Sequence, residues 1–298
     1  MEQLTYPVDL SVRPEVTTFF EAATNTFSYL VRDPGSKACA IVDSVLDFDP
    51  ASGRTATVSA DEIADAVERQ GLEVAWLIET HVHADHLSAA PYLQGRLGGK
   101  IGIGEKIVQV QEIFGKVFNA GSEFQRDGSQ FDRLFKDGDT YEIGGMTAFA
   151  MHTPGHTPAC MVHVIGDAAF VGDTLFMPDS GTARCDFPGG DATTLFRSIR
   201  RVLALPPQTR LFMCHDYGAN GKREVANETT VAEERAKNIH VHDGVAEADF
   251  VKMRSARDAT LGMPRLILPS IQVNMRAGAL PPPEDNGQRY LKIPLDAL

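Results

Sequence analysis

The apolar positions along the 298-residue chain change period several times, and they do so in the same order twice. In the first half, TFSYLVRDPGSKACAIVDSV reads as two strands about a Pro-Gly turn, ending on Asp43. A helix is predicted over SADEIADAVERQG, where Ser59 and Glu62 stand at capping-box spacing and Gly71 sits where a helix stops. The β-branched and aromatic run EVAWLIET then reads as a buried strand that leads into His81. In the second half, EIGGMTAFAMHT and ACMVHVIGDAAFVGDTL read as strands that turn on Gly-Gly and Gly-Asp and end on Asp173. DATTLFRSIRRVLAL follows as a helix from Asp191, and TRLFMCHDY as a strand ending on His215. Each half thus runs hairpin, aspartate, helix, strand, histidine. Two sheets packed face to face, with helices outside, would bring these strand ends to one rim.

Between the halves, SAAPYLQGRLGG and VQVQEIFGKVFN read as helices flanking a strand, KIGIGE. After His215, NETTVAEERAKN and EADFVKMRSARDATLG read as helices. The tail PRLILPSIQVNMRAGALPPPEDNGQ is rich in proline and glycine and reads as irregular chain wrapping the surface. No linker sets it apart, so the expectation is one domain over 1–298 with a C-terminal extension over 240–298.

Composition narrows the function classes. With 43% hydrophobic and 23% charged residues, the chain has ample material for a core. A net charge of −12 disfavours nucleic acid and anionic membranes as partners, and any anionic substrate would need a local basic patch. The four cysteines, Cys39, Cys160, Cys185 and Cys214, form no CxxC pair and fit free thiols in a reducing compartment; Cys160 and Cys185 read as buried and inert. MEQLTYPVDLSVRPEV carries no basic start followed by an apolar stretch, and no run approaches the ~20 apolar residues of a membrane helix, so a cytoplasmic protein is expected.

The candidate chemistry lies on loops that follow strands. HVHADH supplies His81, His83, Asp85 and His86; TPGHT supplies His156; GDT supplies Asp173; CHDYG supplies His215. Imidazole suits iron, zinc, copper and nickel, and carboxylate adds a harder oxygen donor, so the set reads as a transition-metal site. The bland alternative is surface histidines and a turn aspartate, but HxHxDH directly after a buried strand is a specific spacing. His152, His163, His240 and His242 lie outside any such pattern and are expected to pack or face solvent.

THVHADH, TPGHT, GDT and CHDYG together resemble the metallo-β-lactamase-fold hydrolase superfamily over residues 15–240. The resemblance implies an α+β fold, an αββα sandwich of two mixed β-sheets with helices on the outside. ARCDFPGGD, HDYG, VAEERAKN and VNMRAG are most similar to the persulfide dioxygenases, the ethylmalonic-encephalopathy-protein-like sulfur dioxygenases and the bacterial β-lactamase-hydrolase-like group. Where relatives often carry cysteine two residues before the arginine of the first of these motifs, this chain has Thr182.

All seven ligands of a two-metal member are present: His81, His83, His156 and Asp173 for one site, and Asp85, His86, Asp173 and His215 for the other. That inventory alone suits a dinuclear zinc hydrolase. The persulfide dioxygenase resemblance implies instead one Fe(II) per subunit on His81, His156 and Asp173, a triad that leaves coordination positions open. His83, Asp85, His86, His215 and Asp216 then orient ligands and tune the metal. The implied reaction oxidises glutathione persulfide with O2 and water to sulfite and glutathione, with no catalytic residue beyond the metal centre.

Glutathione is anionic and the chain acidic, so a basic recess is required. Arg184 is the leading candidate to fork onto a substrate carboxylate, with an ion pair to Asp186 or Asp216 as the competing reading. Arg276 is a second candidate, and Lys222, Arg223 and Arg265 are expected to be surface charges. Tyr217 would either donate a hydrogen bond near the sulfur or pack. A binuclear zinc thioester hydrolase of the glyoxalase II type is the alternative function, against which the C-terminal part lacks a helical block of clustered Lys and Arg. A non-catalytic metal or thiol-binding regulator is disfavoured by the intact ligand set. A homodimer is left open.

Overall fold

Side chains alternate across a strand, so a strand between two cores must be apolar on both faces. The computed structural model, which describes residues 8–297, shows this in both halves. One six-stranded sheet runs in the order β1 (Glu15–Glu21), β2 (Thr26–Arg32), β3 (Ala38–Val42), β6 (Glu73–Ile78), β8 (Lys100–Gly104) and β9 (Arg133–Phe135). The other runs β10 (Thr140–Ile143), β11 (Met146–His152), β12 (Met161–Ile165), β13 (Ala168–Phe170), β14 (Arg210–Phe212) and β15 (Glu228–Thr230). Both sheets are mixed: β3, β6, β8 and β9 are mutually parallel, as are β13 and β14, and the remaining neighbours are antiparallel. A small sheet, β5 (Arg54–Ala56), β4 (Val45–Asp49) and β7 (Leu87–Ser88), flanks the first.

Tyr29 and Val31 of β2, Ala40 and Val42 of β3, and Ala148 and Ala150 of β11 meet in a core between the sheets. Their neighbours point the other way. Leu30, Cys39 and Ile41 pack under α1 (Val58–Gln70), α2 (Ala90–Leu97), α3 (Ile107–Val117) and α8 (Ile267–Asn274). Phe149 and Met151 pack under α4 (Ala192–Val202), α6 (Val231–Lys237) and α7 (Glu247–Asp258). The result is the expected αββα sandwich. A one-turn α5 (Gly218–Gly221) follows β14. The two sheets touch at one rim, where Phe27 N–H donates to Cys214 O at 2.8 Å and Thr26 bridges to His215.

Three local readings are corrected. Ser59 and Glu62 do not form a capping box: Thr57 is the N-cap, and Ser59 instead gives its N–H and hydroxyl to Asp47 of β4 at 3.0 and 2.6 Å. The segment NETTVAEERAKN is a strand before it is a helix, since Glu228, Thr229 and Thr230 pair with β14 as β15, and Thr230 also caps α6 by accepting the Glu233 N–H. The tail contains α8, because Pro269 falls in the first turn, where its missing N–H costs nothing. Ile267, Ile271, Met275 and Ala277 join the core under the first sheet, while the chain over residues 279–297 is irregular and mostly exposed, as read.

No helix among the described residues is long and apolar enough to cross a membrane. The opening residues 1–7, part of the segment read for a leader, lie outside the described residues. All four cysteines are buried free thiols.

Candidate metal centre

Each donor sits just past the end of a strand, and a second partner decides which of its atoms faces the centre. Asp43, at the end of β3 in the left-handed region (φ 52°), accepts from Thr80 N–H and from the Thr80 hydroxyl, both at 2.8 Å. Because that hydroxyl proton is committed to Asp43, Thr80 Oγ1 must accept from His81 Nδ1, 3.0 Å away. The lone pair of His81 is thereby left on Nε2. Asp43 also pairs with His83 Nε2 at 3.0 Å, which leaves the lone pair of His83 on Nδ1. His156 Nδ1 donates to Arg184 O at 2.7 Å and His215 Nδ1 to Asn25 O at 3.2 Å, so both turn Nε2 inward. His86 Nδ1 lies 3.3 Å from Asp85 and 3.4 Å from Thr26 Oγ1. Such outer partners fix tautomer and ring orientation in metal sites.

Two donor groups result. The ligand atoms of His81, His156 and Asp173 lie within 4.8 Å of one another, and so do those of His83, Asp85, His86 and His215. Asp173 links them, with Oδ2 at 3.8 Å from His81 Nε2 and 3.6 Å from His156 Nε2, and Oδ1 at 3.4 Å from His215 Nε2. His81 Nε2, His83 Nδ1, His86 Nε2, His215 Nε2 and Asp173 Oδ1 are buried with no hydrogen-bond partner among the described residues. Leaving so many lone pairs unmet in one place is costly, and transition-metal coordination is the chemistry that meets such imidazole and carboxylate donors. The residues therefore fit a metal.

The electrostatics agree. Burial, reinforced by neighbouring histidines, holds His81 and His83 well below the usual imidazole range, so both are neutral and ligand-competent. Burial opposes ionisation of Asp85, but His215 and His86 outweigh it and hold the carboxyl well below its ordinary value. Burial likewise disfavours an imidazolium at His215, yet Asp85 and Asp173 prevail and raise its pKa. Behind the centre, burial and the adjacent Asp43 push Glu79 well above the carboxylate range, where it acts as a neutral acid beside the Ser88 hydroxyl.

Two sequence features close the loops together. Gly172 (φ 52°) lets the GDT turn approach Thr80, since a Cβ there would lie 2.6 Å from Thr80 Oγ1. Asn274 of α8 donates to the carbonyls of His83 and His86 at 2.9 and 2.8 Å and accepts Ser88 N–H at 2.8 Å. Neither the role of Asn274 nor that of Thr80 is legible locally. For Asp43 a signal existed, its position matching that of Asp173 in the other half.

A cavity of about 440 Å³ opens onto Asp85, His156, Asp173 and His215, walled by Phe176, Phe187 and Tyr217. Tyr217 is exposed, its ring stacked 6.4 Å from that of His215. Arg184 lines the cavity but its guanidinium is engaged: Nε and Nη2 fork onto Asp186 at 2.6 and 2.7 Å, and Nη1 donates to Gly262 O at 2.6 Å. Asp216 does not join the donors. Buried, it accepts from both terminal nitrogens of Arg223 and from Ala226 N–H at 2.8 Å, tying down the loop after β14. Arg276, just past the end of α8, is not brought to this cavity: it lies over the Phe124 ring at 4.2 Å in a second cavity with Glu123.

The remaining histidines pack or face solvent as expected: His242 is exposed, while His163 bonds Tyr141 at 2.9 Å and burial pushes it down to about 4. Burial also pushes the Cys160 and Cys185 thiols up to about 12, out of the nucleophilic range. Sequence reading missed Arg254 and Arg257 of α7, which line the cavity; nothing in their local pattern marks which helix face the cavity meets.

Comparison with known proteins agrees with this architecture. The metallo-beta-lactamase superfamily profile matches residues 22–215. A probable metallo-hydrolase of Burkholderia pseudomallei is 63% identical over 95% of this chain and 99% of its own. "Glyoxylase B2" of Dictyostelium discoideum is 47% identical over 97% of this chain and 99% of its own. The human mitochondrial persulfide dioxygenase ETHE1 is 29% identical over 88% of each chain. The crystal structure of ETHE1 from Myxococcus xanthus superposes with a TM-score of 0.70 at 25% identity, over 89% of this chain and all of that one. With the fold, the donor set and the profile in accord, the chain belongs to the metallo-beta-lactamase superfamily.

Proposed function

We propose that the protein is a mononuclear non-haem iron persulfide dioxygenase, converting glutathione persulfide, O2 and water to glutathione and sulfite. The observation that carries this reading is the clustering of His81, His156 and Asp173, two imidazoles and one carboxylate. When bound there, Fe(II) would supply a redox-active centre with open positions for a persulfide sulfur and O2. The chain's own residues do the rest. Arg184 O and Thr80 orient the two imidazoles, Phe176 and Phe187 limit water in the cavity, and Asp85, His86 and His215 surround the donors. The likeness to ETHE1 proteins in sequence and structure supports the reading.

A second reading has its own observation. His83, Asp85, His86 and His215 form a complete second donor group, which suits a binuclear zinc thioester hydrolase. The relative named glyoxylase B2 points the same way. Supplying S-lactoylglutathione under anaerobic conditions separates the two: the dioxygenase reading expects no turnover, and brisk hydrolysis by the zinc-loaded protein supports the hydrolase.

A further inference from the structure

We propose that Arg257, in the last turn of α7, is the specificity residue that grips a free carboxylate on the substrate. This rests on the dioxygenase reading for the identity of that substrate. Three arginines line the cavity, and their guanidinium groups are not in equivalent states. Arg184 is spent on Asp186 and Gly262 O. Arg254 is fully buried, with Nε at 2.8 Å and Nη2 at 2.5 Å from Asp258 and Nη1 at 3.1 Å from Thr182 O. Arg257 is exposed, and among the described residues no carboxylate lies within 4.0 Å of its guanidinium.

The surroundings keep that cation available. The adjacent Asp258 is committed to Arg254 and to the Cys185 N–H, and Asp179, also on the cavity wall, is held by Arg223. Burial pushes the nearby His240 down to about 4, with Arg254 and Arg257 adding to the effect, so this imidazole is neutral and the Arg257 guanidinium is the cation on this wall without a carboxylate partner among the described residues. In a chain of net charge −12, such a wall is where an anion would be held. A basic residue ending a helix also complements the helix dipole, but that role requires no position on a cavity.

The ligand chemistry follows. The γ-glutamyl carboxylate of glutathione stands beside its own ammonium, whereas the glycine carboxylate has no internal counter-charge. A planar guanidinium forks onto such a carboxylate. Arg257 would therefore set substrate affinity at the end of the molecule remote from the sulfur, without touching the reacting atoms.

The test uses the iron-loaded protein with glutathione and its glycine ethyl ester as calorimetric probes. Wild type should bind glutathione about tenfold tighter than the ester, the effect of one charge-assisted pair at an exposed position. Arg257→Ala should bring glutathione down to the ester's affinity and leave the ester unchanged, and Arg257→Lys should recover part of the loss. In turnover, Arg257→Ala should raise KM for glutathione persulfide by a similar factor with kcat preserved. Equal binding of both probes by wild type, or an equal loss of both in Arg257→Ala, overturns the proposal. Arg257-dependent glutathione binding without oxygen uptake would defeat the dioxygenase reading alone, and oxygen uptake with Arg257-independent binding would defeat this one alone.

Discussion

The side-chain amide of Asn274 donates to the main-chain carbonyl of His86 at 2.8 Å, joining residues 188 positions apart in sequence. Its other N–H goes to His83 O, so a helix near the C-terminus clamps the loop that carries four of the metal donors. Asn274→Ala removes three hydrogen bonds to buried backbone groups. It should weaken metal binding by ~10 to 100-fold, as loss of outer-shell support does elsewhere, with a stability loss of about 2 to 3 kcal/mol. Competition with a fluorescent chelator and thermal unfolding measure the two effects, and unchanged metal affinity would show that the loop holds its shape unaided.

His156→Ala and Asp173→Ala should each abolish activity and lower bound iron to a small fraction of the wild-type stoichiometry. The fold should survive, because both residues stand on the rim beyond strand ends and the three apolar cores contain neither. His215→Ala should retain part of the iron, since the group of His81, His156 and Asp173 stays complete. Elemental analysis with far-UV circular dichroism reads this directly; equal iron loss in all three variants would contradict the division into two groups.

Much of this was legible locally. Strands that end just before Asp43, His81, Asp173 and His215, and helices over Ala192–Val202 and Val58–Gln70, follow from periodicity and turn residues that lie within a few positions of one another. What escaped depends on partners distant in sequence. Ser59 looked like half of a capping box until β4 brought Asp47 to it. The proline and glycine content of the tail masked α8, whose burial against α2 and α3 favours helix over coil. Arg184 and Arg257 carry the same charge, and only the positions of Asp186 and Gly262 decide which of them is already occupied.

Glu234 offers a pH test away from the metal. Burial raises its carboxyl to about 8 despite the Asn238 amide that bonds its Oε2 at 2.6 Å, and Oε1 has no partner among the described residues. The folded state therefore holds a proton that the unfolded chain releases near pH 4 to 5. Stability from this group is fully present below that range and declines as pH rises toward 8. Glu234→Gln should flatten the decline and stabilise the protein at pH 8 by roughly 1 to 3 kcal/mol. Denaturant midpoints at pH 5 and pH 8 measure it, and a parallel decline in the variant would contradict the burial argument.

The thiols should be silent in the native protein. With Cys39, Cys160 and Cys185 pushed up to about 12 by burial, and Cys214 held well above the usual thiol range by burial and Asp43, alkylation at pH 8 should be slow until denaturant is added. Mass spectrometry after timed iodoacetamide treatment checks this; rapid native labelling of Cys160 or Cys185 would place a reactive thiol near the site.

Oxygen uptake with glutathione persulfide, followed alongside sulfite release, tests the central claim most directly. The reaction GSSH + O2 + H2O → GSH + SO3²⁻ + 2 H⁺ requires one O2 per sulfite formed. The iron-loaded protein should meet that ratio, stop without oxygen, lose activity to an Fe(II) chelator and regain it with iron, while the zinc-loaded protein stays folded and consumes no oxygen. No oxygen uptake by the iron form, with thioester hydrolysis by the zinc form in the absence of oxygen, would contradict the dioxygenase assignment.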